Sequence, residues 1–141
     1  MLVLRSDRVV TPQGVIAADI AIADGRIAGL EKLGSLTAPR LIDMTGRIIM
    51  PGGIDPHVHC DWPMPAPVGG QTQNTQPASV VSRAAVFGGT TMMIDFARTN
   101  AGPTIADAIA ARAAGWHGAC HIDYAFHLMV EGDLPPAHLD E

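Results

Sequence analysis

Positive charge is scarce in this sequence. Of its 141 residues nine are lysine or arginine, Lys32 is the single lysine, and the formal net charge is −5. Nucleic-acid binding needs a cluster or stripe of positive charge, and these basic residues are scattered. No apolar run approaches the length of a membrane span, and the N-terminal Met-Leu-Val-Leu run is too short for the apolar core of a signal peptide. We therefore expect a small-molecule partner, with neither nucleic acid nor a membrane.

Cysteine is also scarce, because Cys60 and Cys120 are the only two. Their spacing matches no CxxC or other recognised pattern. Reduced thiols in a cytoplasmic protein are the favoured interpretation, and a single disulfide between them stays open. Apolar residues make up 48% and charged residues 16% of the chain, which predicts a globular fold rather than disorder.

Residues 1–50 have the pattern of short strands joined by tight turns. The run Thr-Pro-Gln-Gly at 11–14 places proline at the second position of a turn, and residues 19–22 alternate in period 2. Asp24-Gly25 is a strong hairpin signal. The pattern predicts a small antiparallel β-layer as a first domain.

From residue 51 onward strands and helices alternate. The pattern predicts strands at 53–59, 90–96 and 119–130, separated by helices at 79–87 and from 104 to about 115. A loop rich in proline, glycine and glutamine follows the first strand. This order indicates right-handed βαβ units with a parallel sheet, so residues 51–141 are predicted to form a second, α/β domain.

Two histidines, His57 and His59, stand two residues apart on the first predicted strand of that domain. Side chains at this spacing leave the same face of a strand, and imidazole is a common ligand for zinc. Asp55 and Asp61 could orient the rings by accepting a ring N–H. Two surface histidines are the alternative, but carboxyl ends of strands in βα barrels are where catalytic residues gather. The position favours a metal site.

Two motifs make the sequence resemble the amidohydrolase superfamily, and within it the dihydropyrimidinase and D-hydantoinase group. They are Pro-Gly-Gly-Ile-Asp-Pro-His-Val-His at 51–59 and Gly-Gly-Thr-Thr-Met-Met-Ile-Asp-Phe at 88–96. The stretch 61–65, Asp-Trp-Pro-Met-Pro, is similar to the loop after the histidine pair in that group. The stretch 123–127, Asp-Tyr-Ala-Phe-His, is similar to its third barrel strand.

The resemblance implies the first part of a TIM-type (β/α)8 barrel, preceded by strands of a small β-sandwich. It implies hydrolysis of a cyclic amide C–N bond, as in a hydantoin or dihydropyrimidine ring, and a homo-oligomer when complete. It also implies a divalent metal, zinc in the first place with manganese as an alternative, and two ions in the complete site. His57 and His59 would hold one of them.

The charge pattern bears on the substrate. Dihydroorotases resemble this sequence at the histidine pair but follow it with an arginine that pairs with a substrate carboxylate. Here Cys60-Asp61-Trp62 follows His59, and the next cation is Arg83. A neutral cyclic diimide is therefore the expected substrate. A related cyclic amidohydrolase such as an allantoinase stays open, as does a truncated, non-catalytic chain.

Several parts of the family's site have no counterpart in the sequence. The resemblance implies a bridging carboxylated lysine, two further histidines and an aspartate acid/base. Lys32 precedes the first barrel strand and cannot bridge metals there. The remaining histidines match no family ligand position; they are His117, His121, His127 and His138. A full barrel needs about 250 residues. We therefore expect a segment that is incomplete relative to the family and, by itself, inactive and without a catalytic acid/base.

Other side chains near the histidine pair have two interpretations each. Trp62 and Met64 line a substrate pocket or merely cover the barrel. Asp95 packs inside or faces the barrel mouth, and His127 is better read as a core or supporting histidine than as a ligand. Cys60 should point away from the ligand face and pack in the core.

Overall fold

A computed structural model describes residues 1–66, 68–101 and 103–132. The chain divides into two compact units, Met1–Pro51 and Gly52–Glu141. Both contain sheets, and helices occur in the second, so the fold is α/β with mixed sheets. In the described ranges no helix has the length and hydropathy that a membrane crossing requires.

The first unit is a five-stranded sheet. Its strands are β1 (Leu2–Thr11), β2 (Gly14–Ala23), β3 (Arg26–Lys32), β4 (Arg40–Asp43) and β5 (Ile48–Ile49). The order is β3-β2-β1-β4, and β5 also pairs with β1. The predicted hairpin at Asp24-Gly25 is confirmed, because both residues take positive φ, 50° and 72°, and join β2 to β3.

The prediction of a purely antiparallel layer was wrong for β4 and β5, which run parallel to β1. The connection from β3 to β4 makes this possible, since it returns the chain to the end of the sheet where β1 begins. A buried ion pair holds that connection. Asp19 accepts two hydrogen bonds of 2.8 Å from Arg5, and the same two side chains bind the backbone N–H and carbonyl of Leu36.

The second unit begins with β6 (Gly53–Asp55) and a short hairpin of β7 (Pro63–Met64) and β8 (Gln73–Asn74). It continues with α1 (Ala78–Phe87), β9 (Thr90–Arg98), a 3₁₀ turn (Thr99–Ala101), α2 (Ile105–Ala113) and β10 (Asp123–Met129). Strands β6, β9 and β10 form a parallel sheet with β9 in the centre. The N-terminus of α2 is capped, because the Thr104 side chain accepts the N–H of Asp107.

Side chains of strand β9 alternate between the two faces of this sheet. Met93, Asp95 and Ala97 are buried, and Met93 packs in a cluster with Cys60, Ala78 and Trp116, which includes residues of α1. Ile94 and Phe96, between them, lie on the other face. The second face carries the histidines described next.

Candidate metal site

The histidine pair lies just beyond the strand that was predicted to carry it. Strand β6 ends at Asp55 rather than at residue 59, so His57 and His59 follow it in backbone that belongs to no strand. One ladder-like bond continues past the strand, from the Val58 N–H to the Ile94 carbonyl at 3.0 Å. Alternation of side chains therefore persists through residue 59, and both imidazoles leave the same side.

The two rings meet at their Nε2 atoms, which lie 3.1 Å apart. Two nitrogens bound to one tetrahedral zinc ion at about 2.0–2.1 Å would be about 3.3 Å apart. The donor set and its spacing thus suit a single zinc ion. Both side chains are exposed on this face, so an ion and further ligands can reach them.

Aromatic rings pack around the pair. The Phe96 ring centroid lies 4.6 Å from that of His57 and 5.0 Å from that of His59, and it is nearly parallel to the His59 ring. Trp62 approaches His59 edge-on at 4.7 Å. The sequence analysis did not identify Phe96 as a site residue. Two signals could have done so: Phe96 is two residues from Ile94, hence on the same face of the strand, and it lies near the carboxyl end of β9.

His127 supports the segment in front of the pair. Its ring lies 5.1 Å from Phe96, and its Nε2 lies 2.9 Å from the Pro56 carbonyl, to which it donates. This nitrogen is therefore engaged with the backbone immediately before His57. The arrangement matches a supporting histidine rather than a ligand.

The two aspartates that flank the pair, Asp55 and Asp61, form hydrogen bonds with groups other than the imidazole rings. Asp55 accepts the backbone N–H of His57 at 3.2 Å, and Asp61 accepts the side-chain amide of Asn74 at 2.9 Å. Asp61 also takes a positive φ of 52°, a left-handed conformation that turns the chain sharply after Cys60. Neither of these hydrogen bonds reaches an imidazole ring, so the expectation that the two aspartates orient the rings is wrong. The aspartates instead shape the backbone on either side of the pair.

Thr75 ties that turn to the segment leading into α1. Its hydroxyl donates to the His59 carbonyl at 2.6 Å and accepts the Trp62 N–H at 2.9 Å. The Asp61 N–H reaches the Gln76 carbonyl at 3.0 Å. The backbone from residue 57 to residue 62 is therefore hydrogen-bonded both to β9, through Val58, and to residues 75–76.

Asp95 lies on the face of β9 opposite to Phe96 and is fully buried. The interpretation that it faces the barrel mouth does not fit this position. Its carboxylate accepts the Cys60 N–H at 2.8 Å, the Trp62 indole N–H at 3.1 Å and an Arg112 guanidinium N–H at 2.8 Å. Arg112 also donates to the Cys60 carbonyl.

Cys60 packs as expected on the side away from the histidines. It is 1% exposed and lies in the cluster with Met93 and Trp116. Burial, and then the charge of Asp95, raise the pKa of its thiol to about 11. The Cys60 thiol is thus an inert part of the core at neutral pH.

A cavity of about 260 Å³ opens beside Trp62. Its lining includes Trp62, Phe96, Arg98 and Arg112. The two guanidinium carbons lie 5.7 and 5.6 Å from the Trp62 ring centroid. Met64, on β7, is 47% exposed and is not among the lining residues.

The other histidines lie away from the pair or outside the described residues. His117 and His121 lie in the turns between α2 and β10, where the His121 N–H donates to Ser82. His138 lies outside the described residues. Within the described ranges no group of three or more histidine, cysteine or acidic side chains is arranged to hold a metal. His57 and His59 are therefore two candidate ligands, fewer than a complete metal site needs.

Known proteins resemble the chain in sequence and in structure. No family model matches it. The D-hydantoinases of Streptomyces coelicolor (strain ATCC BAA-471 / A3(2) / M145) and Geobacillus stearothermophilus are 37% and 38% identical to it, over 91% and 90% of this chain. The chain spans about a quarter of their length, 27% and 26%.

The crystal structure of dihydropyrimidinase from Brevibacillus agri NCHU1002 superposes with a TM-score of 0.78 at 35% identity. The superposition covers 99% of this chain and 29% of that one. The resemblance in the sequence motifs is thereby confirmed. The chain is a relative of the D-hydantoinases and dihydropyrimidinases, and it matches the N-terminal part of these proteins.

Proposed function

We propose that this chain contributes one metal half-site to a cyclic amidohydrolase that opens hydantoin or dihydropyrimidine rings. The observation that carries the proposal is the 3.1 Å approach of the two Nε2 atoms at the carboxyl end of a parallel strand. The names of the relatives, D-hydantoinase and dihydropyrimidinase, support the reaction class. Strands β6, β9 and β10, with α1 and α2, are proposed as the beginning of a TIM-type barrel.

His57 and His59 would hold the ion, which is zinc or manganese in this proposal. A bound metal of this kind lowers the pKa of a coordinated water and polarises the amide carbonyl. Phe96 and Trp62 form the walls that keep the two imidazoles convergent. The remaining ligands and the group that protonates the leaving nitrogen would come from outside the half-site.

A neutral ring as substrate agrees with the charges beside the cavity. Arg98 pairs with Glu131 at 2.8 Å, and Arg112 pairs with Asp95 at 2.8 Å. Each guanidinium that lines the cavity is thus already matched by a carboxylate. An anionic substrate would have to compete for these cations, whereas a cyclic diimide would not.

The experiment begins with zinc and manganese titrations of the 141-residue chain. We expect the chain to bind metal and the His57→Ala and His59→Ala variants to lose this binding. The reason is that the one imidazole left in each variant is not enough to hold the ion. His117→Ala and His121→Ala are matched controls that should bind as the unsubstituted chain does. Unchanged metal binding in the His57 and His59 variants would contradict the proposal.

Ring opening is tested with the 141-residue chain and with a chimera. Because two metal ligands and no acid/base are assigned among the described residues, the chain is expected to open neither hydantoin nor dihydrouracil. In the chimera this chain replaces the matching part of the Geobacillus stearothermophilus D-hydantoinase, and it should restore hydrolysis that depends on His57 and His59. A chimera that binds metal at the pair and opens no cyclic amide would refute the reaction proposed. A homo-oligomer and a cytoplasmic location belong to the same proposal, and the two free cysteines support the location.

A further inference from the structure

Side chains from two other elements hold the backbone of Cys60, the residue that follows His59. The Cys60 N–H donates to Asp95 of β9, and the Cys60 carbonyl accepts from Arg112 of α2. Asp95 and Arg112 also bind each other at 2.8 Å. One partly buried ion pair thus fixes both polar backbone groups of the residue adjacent to a proposed metal ligand.

The same carboxylate reaches the other support of His59. Its Oδ1 accepts the indole N–H of Trp62 at 3.1 Å, and the Trp62 ring contacts the His59 ring at 4.7 Å. Oδ1 also accepts the Phe96 N–H, and the Phe96 ring stacks on the His59 ring. Trp62 and Phe96, the two aromatic neighbours of the His59 ring besides His57, are therefore both bonded to Asp95.

The position explains why a carboxylate is needed. Both oxygens of Asp95 face donors: Cys60 and Arg112 at Oδ2, Trp62 and Phe96 at Oδ1. An asparagine would turn its NH₂ group toward one of these two sets, and a buried donor would be left without an acceptor. Only an acceptor at both ends keeps the backbone and the indole in place together.

We propose that Asp95, held by Arg112, is a positioning residue for metal binding by His57 and His59. It acts through the Cys60 peptide and the rings of Trp62 and Phe96, and it contacts neither the ion nor a ring nitrogen of the pair. This inference rests on the metal-binding role proposed above. It means that zinc affinity depends on Asp95, a buried carboxylate on the face of β9 opposite to the histidines.

The experiment compares zinc dissociation constants of the 141-residue chain and its variants. Substitution of groups that orient metal ligands from behind costs about 10- to 100-fold in affinity, and we expect about tenfold for Asp95→Asn. Trp62→Phe keeps a ring against His59 but removes the N–H that Asp95 accepts, and we expect about threefold weaker binding. Trp62→Phe leaves the Asp95–Arg112 ion pair in place, so it tests the positioning role even where Asp95→Asn fails to fold.

Asp19→Asn is the matched control. Asp19 is also fully buried and paired with an arginine, but it lies in the first unit. It should lose stability and keep its zinc affinity. Long-range ¹H–¹⁵N spectra of the imidazoles give a readout that general destabilisation would not move: His59 signals should change in both site variants, and His117 signals should not.

The outcomes separate the two proposals. Absence of zinc binding by the unsubstituted chain would overturn the proposed function and this inference with it. Normal binding by the unsubstituted chain, with affinity unchanged within twofold in Trp62→Phe and in any Asp95→Asn that folds, would overturn the positioning role alone. Equal weakening in Asp19→Asn would overturn it too, because the effect would then be one of stability.

Discussion

Gly52, which precedes β6, permits the close approach of that strand to β9. A Cβ added at Gly52 would lie 2.1 Å from Cγ2, 2.2 Å from Oγ1 and 2.7 Å from Cβ of Thr91. Rotation of the Thr91 side chain can relieve the first two contacts but cannot move its Cβ. Strand β6 must therefore shift, and overpacking of this kind costs about 1–3 kcal/mol. We expect Gly52→Ala to destabilise the second unit by about 2 kcal/mol, which lowers its Tm by about 10 °C.

Gly53→Ala is the matched control, because a Cβ at Gly53 would meet its nearest neighbours at 3.6 Å, ordinary contact. Both tryptophans, Trp62 and Trp116, lie in the second unit, so indole fluorescence during thermal and urea unfolding follows that unit. Thr91→Gly removes every clashing atom, so Gly52→Ala should cost much less in a Thr91→Gly background than in the unsubstituted chain. Equal Tm values for the two alanine variants, or the same cost of Gly52→Ala in both backgrounds, would refute the steric reasoning.

Two further predictions concern buried titratable groups. Hydrogen bonds from Arg5 hold the pKa of Asp19 well below its usual value, so the stability they provide is present above about pH 4 and lost as pH falls below it. Asp19→Asn should cost about 3 kcal/mol at pH 7 and flatten the acid dependence of urea unfolding; an unchanged acid limb would contradict this. With its pKa raised to about 11 and 1% exposure, Cys60 should react with a disulfide reagent at pH 8 only at the rate of unfolding, well after the half-buried Cys120. Two equally fast thiols would contradict the burial of Cys60.

Local chemistry made part of the fold predictable. The Asp24-Gly25 turn needs two residues that tolerate positive φ, and the sequence presents such a pair between two alternating runs. The cap of α2 likewise depends on residues three apart, Thr104 and Asp107. Such features are visible in a sequence because every group that decides them lies within a few residues.

Long-range pairing decided the features that the sequence did not reveal. Nothing in residues 40–49 distinguishes a strand that pairs parallel to β1 from one that pairs antiparallel, since both bury the same apolar pattern. The end of β6 at Asp55 also depends on its partner, because the bond from Val58 goes to Ile94 without completing the ladder. The strand predicted at 53–59 was too long for this reason.

The same contrast explains the candidate site. The spacing of His57 and His59 was readable, and the structure converts it into a 3.1 Å approach of two nitrogens. The backbone beside the pair, however, is bonded to Asp95 and Arg112, which lie 35 or more residues further along the chain. In the site proposed above, two exposed histidines on one face of a three-stranded sheet are positioned by an ion pair on the other face. Precision at the proposed site would then come from the buried side of the sheet, where the Asp95 carboxylate has donors at both oxygens.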